Sequence, residues 1–365
     1  MNSILAGLRV VEGSAFVAAP LGGMMLAQMG ADVIRFDMIG GGLDYRRWPV
    51  TKDNNSIYWA GMNKGKRSIA VDFRTEKGRE IISNLITSPG PDSGIFLTNL
   101  PVRPWCAHDA LKKLRSDVIT LNIIGNPDHT TAVDYTVNAK TGWPFTTGPD
   151  NLDTNQPVNN VLPGWDLTCG LMASIALLAA ERHRSRTGKG QNISLSLADV
   201  GYHLTSSLGY LGDVQINDEQ RPRIGNQMYG TFGRDFQTSD NRQIMLVIVT
   251  SRQMKAFAEA AELTQNFKEL EINEGVNLND EADRWKARNS ISELVAPWFK
   301  QRTLSEAGEK LTSAGILWAP FRTYKQMVHE DPFVSTQNPL FQEVAQPGIG
   351  SFLSPGSPFE FSACP

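Results

Sequence analysis

Apolar residues alternate along this chain between two rhythms, a short-strand rhythm and a helical one. Leu8-Arg9-Val10-Val11 and Ala31 to Asp37 read as strands, and Pro20 to Met29 carries Leu21, Met24, Met25 and Gln28 around a helix between them. Two short strands about one helix predict a βαβ unit with parallel strands. The rhythm then repeats. Residues 68–72 read as a strand, 75–87 as a helix capped by Thr75, 94–98 as a strand, 109–115 as a short helix and 117–124 as a strand. Asn192 to Leu197 alternates, with Ile193, Leu195 and Leu197 on one face, and a helix follows over 199–211. The polar, proline-bearing stretch 217–223 reads as a linker. Beyond it, strands at 243–249 and 316–321 with helices at 253–263 and 282–299 predict a second α/β unit. The segment from Asp331, rich in proline and glycine, reads as irregular chain. The pattern predicts an α/β protein with a large domain over 1–205, a smaller one over 225–325 and a C-terminal segment, 331–365, draped over another surface.

One stretch stands out, Pro157 to Arg184. An extended segment ends at Pro163-Gly164, Asp166 follows, and Leu167, Leu171, Ile175 and Leu178 recur at helical spacing. That order places Asp166 at the N-cap of a long helix, where a short acceptor side chain satisfies free backbone N–H groups. The local pattern favours the cap and leaves a chemical role open.

Composition changes the picture only by exclusion. A net charge of −3 gives no footprint for nucleic acid or an anionic membrane surface. Cys106, Cys169 and Cys364 form no CxxC and no paired framework, which points to a reducing compartment. The N-terminus lacks a signal-peptide pattern, because Glu12 interrupts its short apolar run. The longest apolar run, Leu171 to Ala180, is half of what a bilayer requires. The expectation is a cytoplasmic protein with no nucleic-acid or membrane partner.

The common chemistries are mostly missing. His108, His129, His183, His203 and His329 lie far apart, and no Cys/His/Asp cluster has metal-ligand spacing, so no metal is expected. Neither a GxSxG elbow nor a Walker loop occurs. Cys169 lies inside an apolar helical run and reads as a small core residue. The first βα turn, Glu12-Gly13-Ser14-Ala15-Phe16, lacks the glycine spacing of a dinucleotide site, although Asp37 ends the second strand. Asn63-Lys64-Gly65-Lys66-Arg67-Ser68 is either a solvated loop or a phosphate clamp. Residues alone stop at a two-domain α/β enzyme.

Six segments in order resemble the family III coenzyme A transferases, the CaiB–BaiF family. They are LAGLRVVE from Leu5, GADVIRFD from Gly30, GKRSIAVD from Gly65, Thr98-Asn99-Leu100, the Asp166 stretch, and RTGKGQ from Arg186. The resemblance implies a Rossmann-like large domain, a smaller α/β domain and an interlocked homodimer. It puts the catalytic aspartate on Asp166 and lays coenzyme A along Val17, Ala18, Lys66, Arg67, Asn99, Leu100 and Arg103. An aspartate nucleophile would form a mixed anhydride from an acyl-CoA thioester. No cofactor is implied beyond coenzyme A as part of the substrate. Racemases of 2-methylacyl-CoA esters in the same family place a histidine where this chain has Val133, and valine cannot move a proton. VVEGSAFVAAPLGGM from Val10, FDMIGGGLDYRRWPV from Phe36 and Tyr229 to Phe236 resemble a narrower branch. That branch transfers coenzyme A within one molecule, between the C1 and C4 carboxylates of mesaconyl-CoA. Arg46, Arg47 and Arg234 are then candidates for the free carboxylate of the acyl group. An intermolecular transferase and a non-catalytic CoA-binding protein are the alternatives. Family members continue past Pro358 to Phe361, so a shortened C-terminal tail is also expected.

Overall fold

The computed structural model describes residues 3–362; Cys364 lies outside them. The chain divides into two units. The larger runs to Trp143 and takes in Asn159–Gln220 and the segment from Pro332; the smaller is Pro144–Val158 with Arg221–Asp331. Residues 144–158, placed in the large domain by the sequence pattern, thus group with the smaller unit.

The large unit is built on six parallel strands: β1 (Arg9–Gly13), β2 (Asp32–Asp37), β3 (Arg67–Ala70), β4 (Ile95–Thr98), β5 (Ile119–Ile124) and β6 (Asn192–Ser196). Their order is β3-β2-β1-β4-β5-β6. Chain direction reverses its progress across the sheet between β1 and β4, which leaves a crevice at their carboxyl ends. Side chains alternate between two buried faces, so the strands read as continuous apolar runs. Val10, Ile95 and Leu97 face one core, which also holds Ala18, Leu26, Cys169, Ala173 and Leu177. Val11, Phe36 and Phe96 face the other, with Ile82, Ile86 and Leu111.

The helices of this unit are α1 (Ala18–Gln28), α2 (Ile57–Met62), α3 (Glu76–Ile86), α4 (His108–Leu114) and α5 (Asp134–Asn138), then α6 (Trp143–Thr146), which runs on into the smaller unit, and α7 (Gly164–Thr187), α8 (Leu197–Ser207) and α9 (Tyr210–Asn217). Thr75 caps α3 by accepting the N–H of Gly78, as its position predicts. The predicted helix over 199–211 is two helices, broken at Gly209, whose φ of 89° is left-handed. Leu197 opens α8 rather than closing the strand, because the Ser196 hydroxyl accepts the N–H of Asp199 and starts the helix there.

In the smaller unit, β7 (Phe232–Gln237), β8 (Gln243–Ile248) and β9 (Leu317–Pro320) form an antiparallel sheet. It packs with α10 (Ser251–Ala260), α11 (Thr264–Glu274), α12 (Glu281–Lys286), α13 (Arg288–Lys300) and α14 (Leu304–Ser313) around its own core of Phe232, Phe257, Ile291 and Phe299. A last helix, α15 (Tyr324–Glu330), follows β9. The expected helix over 282–299 is interrupted at Ala287. The C-terminal segment is not irregular throughout: β10 (Phe341–Gln346) and β11 (Gly350–Pro355) pair antiparallel about Pro347-Gly348. Among the described residues no helix is long and apolar enough to cross a membrane.

Candidate active site

The site grows from the carboxyl ends of β1 and β4. The Thr98 hydroxyl donates to the carbonyl of Gly13 at 2.6 Å. Asn99 then grips the next residue twice, accepting the N–H of Ala15 at 2.9 Å and donating to its carbonyl at 2.7 Å. These bonds fix the β1–α1 turn across the topological reversal. Phe16 follows with a φ of 68°, a left-handed conformation that a bulky side chain seldom adopts. Its N–H is held by Asp44 at 2.9 Å.

Asp44 belongs to a buried charge network. The Arg35 guanidinium bonds Asp37 through Nε and Nη2, Asp44 through Nη2, the carbonyl of Ser14, and Asn63 through Nη1, at 2.8–3.0 Å. Arg35 is 1% exposed, so burial works against its charge, and the carboxylates of Asp37 and Asp44 outweigh that cost and hold its pKa up. The result ties the ends of β1 and β2 to the 38–56 loop. On that platform Arg47 lies 5.2 Å from the Phe16 ring and 5.3 Å from that of Tyr58, a cation between two aromatic rings.

Asp166 lies opposite, in the first turn of α7. Helices α1 and α7 approach unusually closely there. A Cβ on Gly170 would come 2.6 Å from the carbonyl oxygen of Ala18, and one on Gly22 would come 3.0 Å from that of Gly170. Ser174 adds a bond to the Gly22 carbonyl at 3.0 Å. The helix that carries Asp166 is therefore docked on the start of α1.

The structure corrects the capping role expected of Asp166. Pro163 is the N-cap and offers no side-chain acceptor. The free N–H groups of Trp165 and Asp166 instead donate to Oδ2 of Asp134 on α5, at 2.8 and 2.9 Å. The Asp166 carboxylate is thereby released from capping. It is also not held anionic by its position. Burial and the neighbouring Asp134 charge push its pKa up to about 7, against a smaller opposing pull from Arg47. Cys169, one turn on, is fully buried, and burial with the Asp166 charge pushes its thiol up to about 12, which suits a core residue.

The remaining residues singled out from the sequence fall in different places. Val17 is the N-cap residue of α1 and Ala18 opens the helix. Leu100 and Arg103 line a cavity of about 340 Å³ with Phe36, Phe73, Phe96 and Trp105. Lys66 turns inward, its ammonium bonded to Glu12, the Pro20 carbonyl and Asn63 at 2.8 Å each. Burial pushes its pKa down against the pull of Glu12. As the structure stands, its donors are spent within the fold. Arg67 is exposed and paired bidentately with Asp32. Arg46 lines a separate polar cavity of about 430 Å³ with Tyr45, Asn55, Trp59 and Gln346. Arg234 lies on β7 in the smaller unit, 5.9 Å from the Phe236 ring. Asp134, Tyr58 and Phe16 carry weight at the site and were not singled out by their pattern. Among the described residues no three His, Cys, Asp or Glu side chains gather as a metal site.

The model of CoA-transferase family III matches residues 5–365. The chain belongs to this family. It is 53% identical to the 2-methylfumaryl-CoA isomerase of Chloroflexus aurantiacus, covering all of this chain and 89% of that one. It is 26% identical to the succinyl-CoA:mesaconate CoA-transferase of Haloarcula marismortui, over 98% of this chain and 90% of the relative. Among solved structures, a CaiB/BaiF family protein from Brucella suis superposes with a TM-score of 0.76 at 22% identity, covering 98% of this chain and 97% of that one. The fold is that of the family, and the protein is an enzyme acting on acyl-CoA.

Proposed function

We propose that this protein is an intramolecular CoA-transferase that moves coenzyme A between the C1 and C4 carboxylates of mesaconyl-CoA, with Asp166 as nucleophile. The observation that carries the reading is the Asp166 carboxylate, freed from capping by Asp134, in a chain 53% identical over its whole length to a 2-methylfumaryl-CoA isomerase.

The ionised carboxylate attacks the C1 thioester carbonyl. The C–S bond breaks, CoA leaves as thiolate, and Asp166 and the acyl group share a mixed anhydride. The thiolate then attacks the Asp166 carbonyl, giving an aspartyl thioester and releasing the C1 carboxylate. Once the dicarboxylate has turned over in the pocket, its C4 carboxylate attacks that thioester and expels the thiolate again. A final attack of the thiolate on C4 yields the isomeric thioester and returns Asp166. Each step exchanges one acyl bond for another, so no general base is needed. Arg47, pinned between Phe16 and Tyr58 and electrostatically coupled to Asp166, is the arginine best placed for the substrate's free carboxylate. The aromatic cavity lined by Leu100 and Arg103 suits the nucleotide end of coenzyme A, its rings stacking on the base and the guanidinium meeting phosphate. Val17, Ala18 and Asn99 lie at the intervening turn. Lys66 supports that turn from within through Glu12.

Assembly is part of the reading. Leu171 and Ile175 on α7 are 43% and 67% exposed although the opposite side of the same helix is core, and Ile216 of α9 is 83% exposed. Apolar exposure on this scale suits a second copy of the chain, in the homodimer the family resemblance implies.

The test is to incubate the protein with the C1 thioester of mesaconate alone and follow the C4 isomer, with labelled free mesaconate present. Isomer without label supports the intramolecular route. Isomer that requires an added acid, or that carries label, supports the intermolecular alternative. Asp166→Asn is expected to lower turnover by at least roughly 10³-fold. Full turnover in that variant would exclude the nucleophile.

A further inference from the structure

Helix α5 holds the start of α7 at several points. The Tyr135 hydroxyl donates to the carbonyl of Val161 at 3.2 Å. Asn138 accepts the indole N–H of Trp165 at 3.0 Å and bonds the Asn159 side chain through Nδ2. Asp134, 3% exposed, accepts the N–H groups of Trp165 and Asp166 on a single oxygen. A capping side chain ordinarily comes from the residue that begins the helix. Here it comes from more than thirty residues upstream, and it is a second carboxylate placed against the nucleophile.

We propose that Asp134 is a positioning residue for the nucleophile, fixing the first turn of α7 by its hydrogen bonds and strengthening the Asp166 carboxylate by its charge. The inference rests on the assignment of Asp166 as nucleophile. The two functions separate chemically. The hydrogen bonds aim the carboxylate; the negative charge makes it a better base and so a better nucleophile toward the thioester. The groups that act on Asp166 are few. Asp134 on α5 opposes its ionisation, Arg47 from the loop before α2 favours it, and Tyr58 on α2 and Cys169 on α7 each interact with its charge. The other helices packed on this end of α7 bring Ala18 and Gly22 from α1 and Gly201 from α8, none of them titratable. Asp134 is thus the negative group that opposes the charge of Asp166.

Asp134→Asn separates the functions, because an amide oxygen can still accept both N–H groups while the charge is lost. The acid limb of kcat/KM is expected near pH 7 in the wild type and roughly one to two pH units lower in Asp134→Asn. Turnover at pH 8 should fall about tenfold as the nucleophile weakens. Asp134→Ala should lose activity further, and the difference between the two variants measures the hydrogen bonds. A readout without turnover comes from the difference in unfolding midpoint between the wild type and Asp166→Asn as a function of pH, repeated in the Asp134→Asn background. Its midpoint should move down with the acid limb. A wild-type pH profile and rate in a folded Asp134→Asn variant would overturn the charge role while Asp166→Asn remained inactive. Turnover retained by Asp166→Asn would instead remove the nucleophile assignment, and this inference with it.

Discussion

At Asp166 the fold works against its own stability. The carboxyl has an ordinary value of 3.8 and a native one of about 7, raised by burial and by Asp134. Between those values the native state holds a proton that the unfolded chain has released. Stability must therefore fall as pH rises through that window, and the full cost of the buried charge is present above about pH 7. Asp166→Asn removes the cost, because an amide does not ionise. The variant should be more stable than the wild type at pH 8 by on the order of 2 kcal/mol, with most of the gain gone at pH 4. Urea unfolding at both pH values checks this, and a gain independent of pH would mean that the carboxyl carries no ionisation penalty. The Arg35 network shows the opposite case, deeper in the fold. Its buried charges each find partners at hydrogen-bond distance, so it stiffens the platform without leaving a carboxylate free to react.

Among the elements, α7 decides the geometry, and its small residues are what let it do so. Gly170 lies against the backbone of α1, where the obstructing atom is the Ala18 carbonyl oxygen, which a side-chain rotation cannot move away. Gly170→Ala should push the helices apart by some tenths of an ångström, cost about 1–3 kcal/mol and lower turnover, since Asp166 and the β1–α1 turn ride on the two helices. Thermal unfolding and kcat measured together check this; a stable variant with reduced kcat would locate the effect in positioning. How far the sequence revealed these elements follows from the range of the interactions behind them. The parallel strands were legible because Val10, Val33, Leu97 and Leu121 recur in short apolar runs, and α3 was legible because Thr75 caps it from its own first turn. The cap of α7 was not, since Asp134 lies 32 residues from the N–H of Asp166 that it accepts. Glycine and charge at Gly233, Arg234 and Asp235 hid β7, whose cross-strand partners supply the order that its composition lacks. The β10–β11 hairpin was obscured by exposure: only Ser354 among its residues is buried, so no apolar alternation marks it, although Pro347-Gly348 is a turn signal. Asp166 itself was visible as the acid that follows Pro163-Gly164, yet its freedom to react depends on a contact that no local window contains.

For the molecule as a whole, the apolar surface of the larger unit constrains the assembly. Leu171 and Ile175 stand one turn apart on α7, and Leu208, Leu211, Val214 and Ile216 continue the apolar exposure through α8 and α9. Leu171 and Ile175 lie on the helix that carries Asp166, the proposed nucleophile, so covering them would bear on activity as well as on solubility. A dimer of 40.2 kDa chains should appear in sedimentation velocity at about twice the chain mass. Surface-to-surface dimers dissociate on dilution, whereas interlocked chains must unthread, which requires unfolding. The expected signature is thus a mass that stays constant across a thousandfold dilution while activity per chain stays constant too. With the proposed second copy on this face of α7, Ile175→Asp would place a charge in the contact and should act during assembly: the yield of folded dimer should drop severalfold, with little monomer surviving to equilibrate. Reversible, concentration-dependent dissociation of the wild type would indicate a simple surface dimer. A wild-type monomer at 40.2 kDa with full turnover would show that the exposed face of α7 needs no second copy for catalysis.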